Sequence, residues 1–291
     1  MSFISKSTAW MLMAVSSLAV AHAGKTAARE TGYAPVDGLE LYYEMQGSGK
    51  PLILLHGGLG SADMFREILP SLAKNRRVIA LDLQAHGRTA DIDRPLSYQA
   101  MADDVAALIR YLKLDKADVM GYSMGGEVAL RTAIQHPGEV RKLVLVSAAF
   151  RRDGWYPEIL AQMARMGSAG SETFEQTPMH KSYEQIAPRP QDWPTLVGKL
   201  GEMFRKDYDW SKDVREIKAP VLLVFGDADA VRTEHAVQFF ELLGGGQKDG
   251  GWDGSGMSRA RLAILPGVTH YTMISPELVS TVVAFLDSPT P

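Results

Sequence analysis

The residue best placed to do chemistry in this chain is a serine between small residues. Ser123 is the centre of the pentapeptide G-Y-S-M-G (121–125), which lies between an apolar segment and a helix-forming run, 127–133. A serine at a sharp strand-to-helix turn exposes its hydroxyl at the carboxyl end of the strand, and small neighbours let the backbone make that turn. The free amides of the next helix favour negative charge, and Met124 supplies the nearest one. This suits a nucleophile that generates an oxyanion, although an ordinary strand-turn-helix junction can have the same pattern.

A base and an acid are available in two late loops. A serine hydroxyl is a weak nucleophile until a base takes its proton, and the base needs a group that fixes its tautomer. His270 follows the apolar segment 261–265, and both Asp227 and Asp229 follow the apolar segment 221–225. If these segments are parallel strands, the three side chains lie on the same rim of the sheet as the serine.

The succession of apolar segments predicts an α/β protein with a mostly parallel sheet. Asp37-Gly38 is a two-residue turn signal between alternating segments, so the chain opens with an antiparallel hairpin. Segment 51–55 is apolar on both faces, as in a central strand. Strands and amphipathic helices then alternate. The predicted strands are 77–82, 117–120, 140–147, 221–225 and 261–265, and the predicted helices are 64–72, 97–112, 127–136, 235–243 and 276–286.

Two segments interrupt this alternation. Residues from about 149 to 218 are rich in proline, methionine and aromatic side chains, and the strand pattern resumes at Pro220. We interpret them as a mostly helical lid inserted after a strand, at the edge of the sheet where ligands enter. A second packing layer without a role in binding is the alternative. The Gly-rich run 244–256 is predicted to be flexible and to lie at the end of the sheet opposite Ser123.

Taken together, these motifs resemble those of the α/β-hydrolase superfamily, from about Tyr33 to Leu286. The resemblance rests on the motif His-Gly-Gly (56–58) after a buried strand, on 82–88 after the next strand, and on the serine pentapeptide. The serine, an aspartate and a histidine follow in the family's order. The resemblance implies an α/β-hydrolase fold, which is a mostly parallel eight-stranded sheet with helices on both faces and a helical lid after the sixth strand.

The resemblance also implies roles for individual residues. The nucleophile, orienting acid and general base would be Ser123, Asp229 and His270, and the oxyanion hole would be formed by the backbone amides of Gly58 and Met124. The family's acid usually stands three residues after the strand-ending glycine, which selects Asp229 over Asp227. Asp227 would then be a turn or capping residue. His270 follows a threonine where many relatives have glycine, and His56 is expected to support the oxyanion loop.

Composition excludes several other classes of function. The chain has 291 residues, of which 46% are hydrophobic and 22% charged, so we expect one globular domain with an insertion. The net charge of -3 and the scattered basic residues give no surface for nucleic acid. The absence of cysteine excludes disulfides and a thiolate nucleophile. No metal-binding or nucleotide-binding motif is present, so no metal and no cofactor are expected. Nothing in the sequence indicates the oligomeric state.

The first 23 residues have the pattern of an export signal. Lys6 is followed by an apolar stretch, 9–20, and by a small-x-small cleavage pattern that ends at Ala23. This predicts a signal peptide over 1–23, a linker over 24–32 and a hydrolase domain over 33–287, with the lid at about 149–218. The apolar stretch is short for a membrane span, and a retained anchor is the alternative. We therefore expect an exported protein, periplasmic or secreted, without stable membrane insertion.

The function that follows is an exported serine hydrolase that cleaves a carboxylic ester or lactone through an acyl-enzyme. Dehalogenases and epoxide hydrolases resemble this fold but use aspartate in place of Ser123. Carbon–carbon bond hydrolases and cofactor-free perhydrolases keep the serine and stay open as alternatives, as does a non-catalytic binding protein with the same fold. The expected partner is a small-molecule ester or lactone, and the apolar lid indicates an apolar acyl or alcohol group.

Overall fold

The sheet is the frame of the molecule. A computed structural model describes residues 29–289, in which eight strands form one sheet in the order β1-β2-β4-β3-β5-β6-β7-β8. Strand β2 runs antiparallel to both of its neighbours, and the other neighbouring pairs are parallel. The strands are β1 (Glu30–Val36), β2 (Leu39–Gln46), β3 (Lys50–Leu55), β4 (Arg76–Leu81), β5 (Ala117–Tyr122), β6 (Val140–Val146), β7 (Val221–Ala228) and β8 (Ala260–Thr269).

This sheet confirms the predicted fold class. The opening hairpin turns at Asp37 and Gly38, whose φ angles are 47° and 84°. Two successive positive φ angles match the right-handed twist of the paired strands, and they are the reason for an Asp-Gly sequence at this position. Pairing of Val36 with Leu39 then fixes the register of β1 against β2.

Helices cover both faces of the sheet. Along β3, Ile53 and Leu55 face one apolar core, whereas Leu52 and Leu54 face another. The first core is completed by α2, α3 and α8, and the second by α1 and α9. The helices are α1 (Leu69–Leu72), α2 (Tyr98–Tyr111), α3 (Met124–Gln135), α4 (Pro157–Arg165), α5 (Pro178–Ile186), α6 (Trp193–Arg205), α7 (Ser211–Val214), α8 (Thr233–Leu242) and α9 (Pro276–Asp287).

Some predicted boundaries were wrong. The single helix expected over 64–72 is a 3₁₀ turn (Ala62–Phe65) followed by the short α1, in which proline occupies one of the first two positions. Proline cannot donate the backbone hydrogen bond that a continuous helix would need there. The predicted linker 24–32 overlaps β1, which begins at Glu30 and pairs with β2 from its first residue. Strand β8 continues beyond 265 as far as Thr269.

Helices α4 to α7 lie between β6 and β7, where the helical insertion was predicted. The role of this insertion as a lid stays a prediction. The two ends of this insertion lie side by side. Arg151 and Asp209 form an isolated antiparallel bridge, and the backbone amide of Arg152 donates to the carbonyl oxygen of Tyr208 at 3.0 Å. The insertion therefore leaves and re-enters the sheet layer at one place.

The Gly-rich run leads into the start of β8, where Ala260 pairs with Val221 at the start of β7. Ser123 instead follows the end of β5, so the run lies at the opposite end of the sheet, as predicted. In residues 29–289 no helix is both long and apolar enough to cross a bilayer. The predicted signal peptide lies outside the described residues.

Candidate active site

Ser123 occupies a constrained turn between β5 and α3. Its backbone has φ 53° and ψ -127°, a conformation that non-glycine residues rarely adopt. A Cβ on Gly121 would overlap the carbonyl oxygen of Gly125, and one on Gly125 would overlap the backbone of Leu55. Only glycine therefore fits on either side of the serine. The turn places Ser123 as the N-cap of α3, beside amides that have no partner within the helix.

His270 joins the serine to a carboxylate. It follows the last residue of β8, and its Nε2 lies 3.1 Å from Ser123 Oγ. Its Nδ1 lies 2.9 Å from Asp229 Oδ1 on the other side of the ring. Tyr122, the residue before the serine, donates its hydroxyl to the His270 carbonyl oxygen at 2.7 Å. With its proton on Nδ1, the imidazole donates to the carboxylate and offers Nε2 as an acceptor for the serine proton.

Asp229 is the acid that reaches His270, and Asp227 is not. Asp229 is buried, and its carboxylate also accepts from the Ser147 hydroxyl at 2.5 Å and from the backbone amides of Gly226 at 3.0 Å and Val231 at 3.2 Å. Burial alone would raise the pKa of Asp229. The hydrogen bond and charge of His270, together with the Ser147 and Gly226 donors, outweigh burial and hold that pKa below its ordinary value.

The other aspartate, Asp227, was predicted to be a turn or capping residue, but it lies within β7, because that strand continues to Ala228. Asp227 is exposed and accepts from the backbone amide of Gly267 at 2.9 Å. This bond joins the ends of the neighbouring strands β7 and β8.

The two predicted oxyanion donors lie beside the serine. Met124 is the first residue of α3. A Cβ on Gly57 would lie 3.3 Å from the Ser123 Cβ, and a Cβ on Gly58 would lie 3.9 Å from the Met124 Sδ. The segment 57–58 therefore lies against the serine turn.

His56 supports this segment, as expected. Its Nδ1 lies 2.8 Å from the Gly57 carbonyl oxygen, and its Nε2 accepts from the Leu83 amide at 3.0 Å. Burial lowers the pKa of His56, which favours the neutral ring that these two bonds require. Neighbouring His86 is also buried, and its pKa is lowered to about 3. Burial therefore favours the neutral form of both rings. Within residues 29–289 no group of three or more histidines and carboxylates is arranged to hold a metal ion.

The insertion contacts this site at two points. The Trp155 ring packs edge-on against the His270 ring, with centroids 5.4 Å apart. A Cβ on Gly58 would lie 3.3 Å from Phe204 Cζ, so α6 covers the segment 57–58. A cavity of about 250 Å³ separates the segment 59–64 from α5.

Three residues of the site were missed by the sequence analysis. Ser147 directly follows β6, so its place on the active rim was visible in the sequence, but no motif marks it. Glu127 has the sequence pattern of an exposed helix residue, yet it is 1% exposed and accepts from the Trp155 indole. Trp155 lies in the insertion, and the sequence of this segment does not indicate which residues of the sheet layer it contacts.

Comparison with known proteins agrees with this geometry. A family model described as the alpha/beta hydrolase fold matches residues 50–179. The AB hydrolase superfamily protein YisY of Bacillus subtilis is 31% identical over 221 residues, which are 66% of this chain and 78% of that protein. The chain belongs to the α/β-hydrolase superfamily. The resemblance noted in the sequence is thereby confirmed.

Further similarities are found within the α/β hydrolases. The pimeloyl-[acyl-carrier protein] methyl ester esterase of Neisseria meningitidis serogroup B is 33% identical over 201 residues, which cover 62% of this chain and 76% of the esterase. Among solved structures, E-2-(acetamidomethylene)succinate hydrolase superposes with a TM-score of 0.70 at 19% identity, over 90% of this chain and 100% of that one. At 19% identity, the likeness to this solved structure concerns the fold alone.

Proposed function

We propose that this α/β hydrolase cleaves a carboxylic ester or lactone through an acyl-enzyme, with Ser123 as nucleophile. The observation that carries the proposal is the position of His270, which lies within hydrogen-bond distance of both Ser123 Oγ and Asp229 Oδ1. A hydroxyl, an imidazole and a carboxylate in this line form the arrangement that acyl transfer needs. The similarity to a methyl ester esterase supports an ester as the substrate.

In the first half of the reaction, Ser123 Oγ attacks the carbonyl carbon while His270 Nε2 takes its proton. The Asp229 carboxylate accepts from Nδ1–H and stabilises the imidazolium. The amides of Gly58 and Met124 donate to the tetrahedral oxyanion, each contributing on the order of 3 kcal/mol. Collapse of the intermediate breaks the bond to the alcohol oxygen, which leaves with the proton held on His270.

In the second half, water attacks the acyl-enzyme. His270 takes a proton from the water, the hydroxide oxygen bonds to the acyl carbon, and the second intermediate forms in the same oxyanion site. Its collapse returns the proton to Ser123 Oγ and releases the carboxylic acid. No external cofactor enters either half, and a lactone would leave as a single hydroxy acid.

We also propose that the protein is exported. The support is the signal-like pattern of residues 1–23, with a small-x-small sequence before Gly24. Mass spectrometry of the protein secreted from its host or released from its periplasm is expected to show a chain beginning at Gly24. A mature chain that retains Met1 would contradict cleavage.

The test of the chemistry is the substitution Ser123→Ala. It removes only the hydroxyl, so we expect an unchanged circular dichroism spectrum and a loss of p-nitrophenyl acetate hydrolysis of about 10³-fold or more. Labelling by a fluorophosphonate should disappear at the same time. Ser280→Ala is the matched control, because Ser280 is exposed on α9 and its hydroxyl donates to the Glu277 carbonyl oxygen within its own helix. Undiminished hydrolysis or labelling in Ser123→Ala would rule out the mechanism.

A further inference from the structure

A buried carboxyl group lies in the first turn of α3, the helix that begins after the proposed nucleophile. Glu127 is the fourth residue after Ser123, and positions four apart share one face of a helix. It is 1% exposed, and its Oε1 accepts from both the Trp155 indole Nε1 at 3.1 Å and the Tyr208 hydroxyl at 2.6 Å. The Tyr98 ring, from α2, packs edge-on against the Tyr208 ring, with centroids 5.4 Å apart. One carboxyl group therefore joins α3 to both ends of the insertion.

Trp155 carries this connection to His270. Its ring meets the imidazole edge-on at 5.4 Å between centroids, with the planes 73° apart. Aromatic contacts of this kind fix the orientation of a ring as well as burying it. The Glu127 carboxyl group fixes the position of the indole N–H relative to α3. The bond to Glu127 is the only hydrogen bond of the Trp155 side chain in the described residues.

The backbone around Trp155 also holds the segment that carries the acid. Trp155 forms an isolated antiparallel bridge with Val231. The Tyr156 amide donates to the Ala230 carbonyl oxygen at 3.1 Å, and the Arg232 amide donates to the Gly154 carbonyl oxygen at 2.8 Å. Asp229 immediately precedes this paired segment. A displacement of Trp155 would therefore move His270, which its ring contacts, and Asp229, which precedes the segment paired with its backbone.

We propose that Glu127 is a positioning residue, which holds Trp155 against His270 and so keeps the imidazole in line with Ser123 and Asp229. The proposal rests on the proposed function, since it concerns the same reaction. Glu127 touches none of the reacting atoms. Its effect is on the geometry of the base, where a displacement of about 1 Å costs on the order of 100-fold in rate.

A carboxyl group, rather than an apolar side chain, is required because two donors from the insertion converge on its Oε1. The Trp155 side chain is buried, and a buried donor without an acceptor is strongly disfavoured. Glu127→Met has nearly the same shape but removes the acceptor, so Trp155 must move to find another. Glu127→Gln keeps a carbonyl oxygen at the position of Oε1, which can accept from both Trp155 and Tyr208.

The experiment compares three full-length variants with wild type by kcat and KM for p-nitrophenyl acetate and by thermal unfolding. Glu127→Met is expected to lose about 10- to 100-fold in kcat with little change in KM, because the base is misplaced while substrate contacts are not. Glu127→Gln is expected to restore most of the kcat. Tyr208→Phe is the matched control, since it removes one hydrogen bond from the same carboxylate and leaves the Trp155 bond intact.

Several outcomes would overturn the proposal. A kcat for Glu127→Met close to that of wild type would show that Trp155 needs no anchor. If Tyr208→Phe loses as much kcat and as much melting temperature as Glu127→Met, then Glu127 contributes to stability alone. A Gln variant as slow as the Met variant would show that accepting these bonds is not the function of Glu127.

Two further measurements keep the test decisive. If Glu127→Met does not fold, Trp155→Phe replaces it, because phenylalanine keeps a ring beside His270 but has no N–H to donate. The same loss of kcat is expected, and wild-type kcat would overturn the proposal. Fluorophosphonate labelling of wild-type Ser123 separates the two proposals. Absence of labelling contradicts the proposed function, whereas labelling together with unaffected Glu127 variants contradicts only the positioning role.

Discussion

The stability of this protein should depend on pH through Glu127. Burial is the dominant influence on this carboxyl group and raises its pKa from the ordinary value of 4.5 to about 7, against the opposing hydrogen bonds from Tyr208, Tyr98, Trp155 and the Ala149 amide. A group that ionises less readily in the folded protein than in the unfolded chain stabilises the fold fully below pH 4.5. That contribution is lost as the pH rises through about 7.

The magnitude follows from the interval between the two pKa values. At about 1.4 kcal/mol per pH unit, the interval from 4.5 to about 7 corresponds to on the order of 3 kcal/mol of unfolding free energy. Glu127→Gln cannot ionise, so its stability lacks this term. The unfolding free energy of the Gln variant minus that of wild type should therefore rise by about 3 kcal/mol between pH 4.5 and pH 8.

The assay is urea unfolding of both proteins at intervals across this range, with free energies from linear extrapolation. The quantity to compare is the difference in unfolding free energy between Glu127→Gln and wild type. Burial also raises the pKa of Asp118 to about 6, so the unfolding free energy of wild type depends on pH for that reason as well. Glu202→Gln is the matched control, since that side chain is exposed on α6 and hydrated in both states. A difference that stays flat with pH would refute the reasoning, because the hydrogen-bond donors would then keep Glu127 ionised throughout.

Two further substitutions test the packing around the strands. Gly121→Ala should lower the unfolding free energy by ~3 kcal/mol, because the added Cβ would overlap the Gly125 carbonyl oxygen. In the control Gly138→Ala the added Cβ has no neighbouring atom within 4 Å, so the unfolding free energy should change by less than ~0.5 kcal/mol. Equal urea midpoints for the two variants would contradict this. Lys142→Met should lose about 1–3 kcal/mol, because the buried ammonium donates to three carbonyl oxygens at the end of α9. A loss no larger than that of exposed Lys218→Met in the same assay would show that those bonds add nothing.

The residues at strand ends could be predicted from the sequence because the sheet is parallel. Ser123, Asp229 and His270 each follow an apolar strand, and the carboxyl ends of parallel strands share one rim. The strand pattern is therefore enough to predict that these three side chains lie close together, whatever the arrangement of the helices. The Asp-Gly hairpin could also be predicted, because its turn depends on local sequence.

The parts that could not be predicted depend on contacts between distant segments. Glu127 is an acidic residue on a helix, and Trp155 and Tyr208, whose hydrogen bonds offset part of the cost of its burial, come from the insertion. Ser147 has the correct place in the sequence, but its bond to Asp229 depends on the conformation of two loops. The helix expected over 64–72 failed for a local reason, since proline near the start of α1 ends the preceding turn.

The side-by-side ends of the insertion have a consequence for how this protein can change over time. Arg152 and Tyr208 are hydrogen-bonded neighbours, and both Trp155 and Tyr208 lie close to these junctions. Helices α4 to α6, which run from 157 to 205, therefore form a loop closed at its base, and its length can vary at small entropic cost. A change in the length of this loop would therefore leave in place the two ends of the insertion, where Trp155 and Tyr208 donate to Glu127.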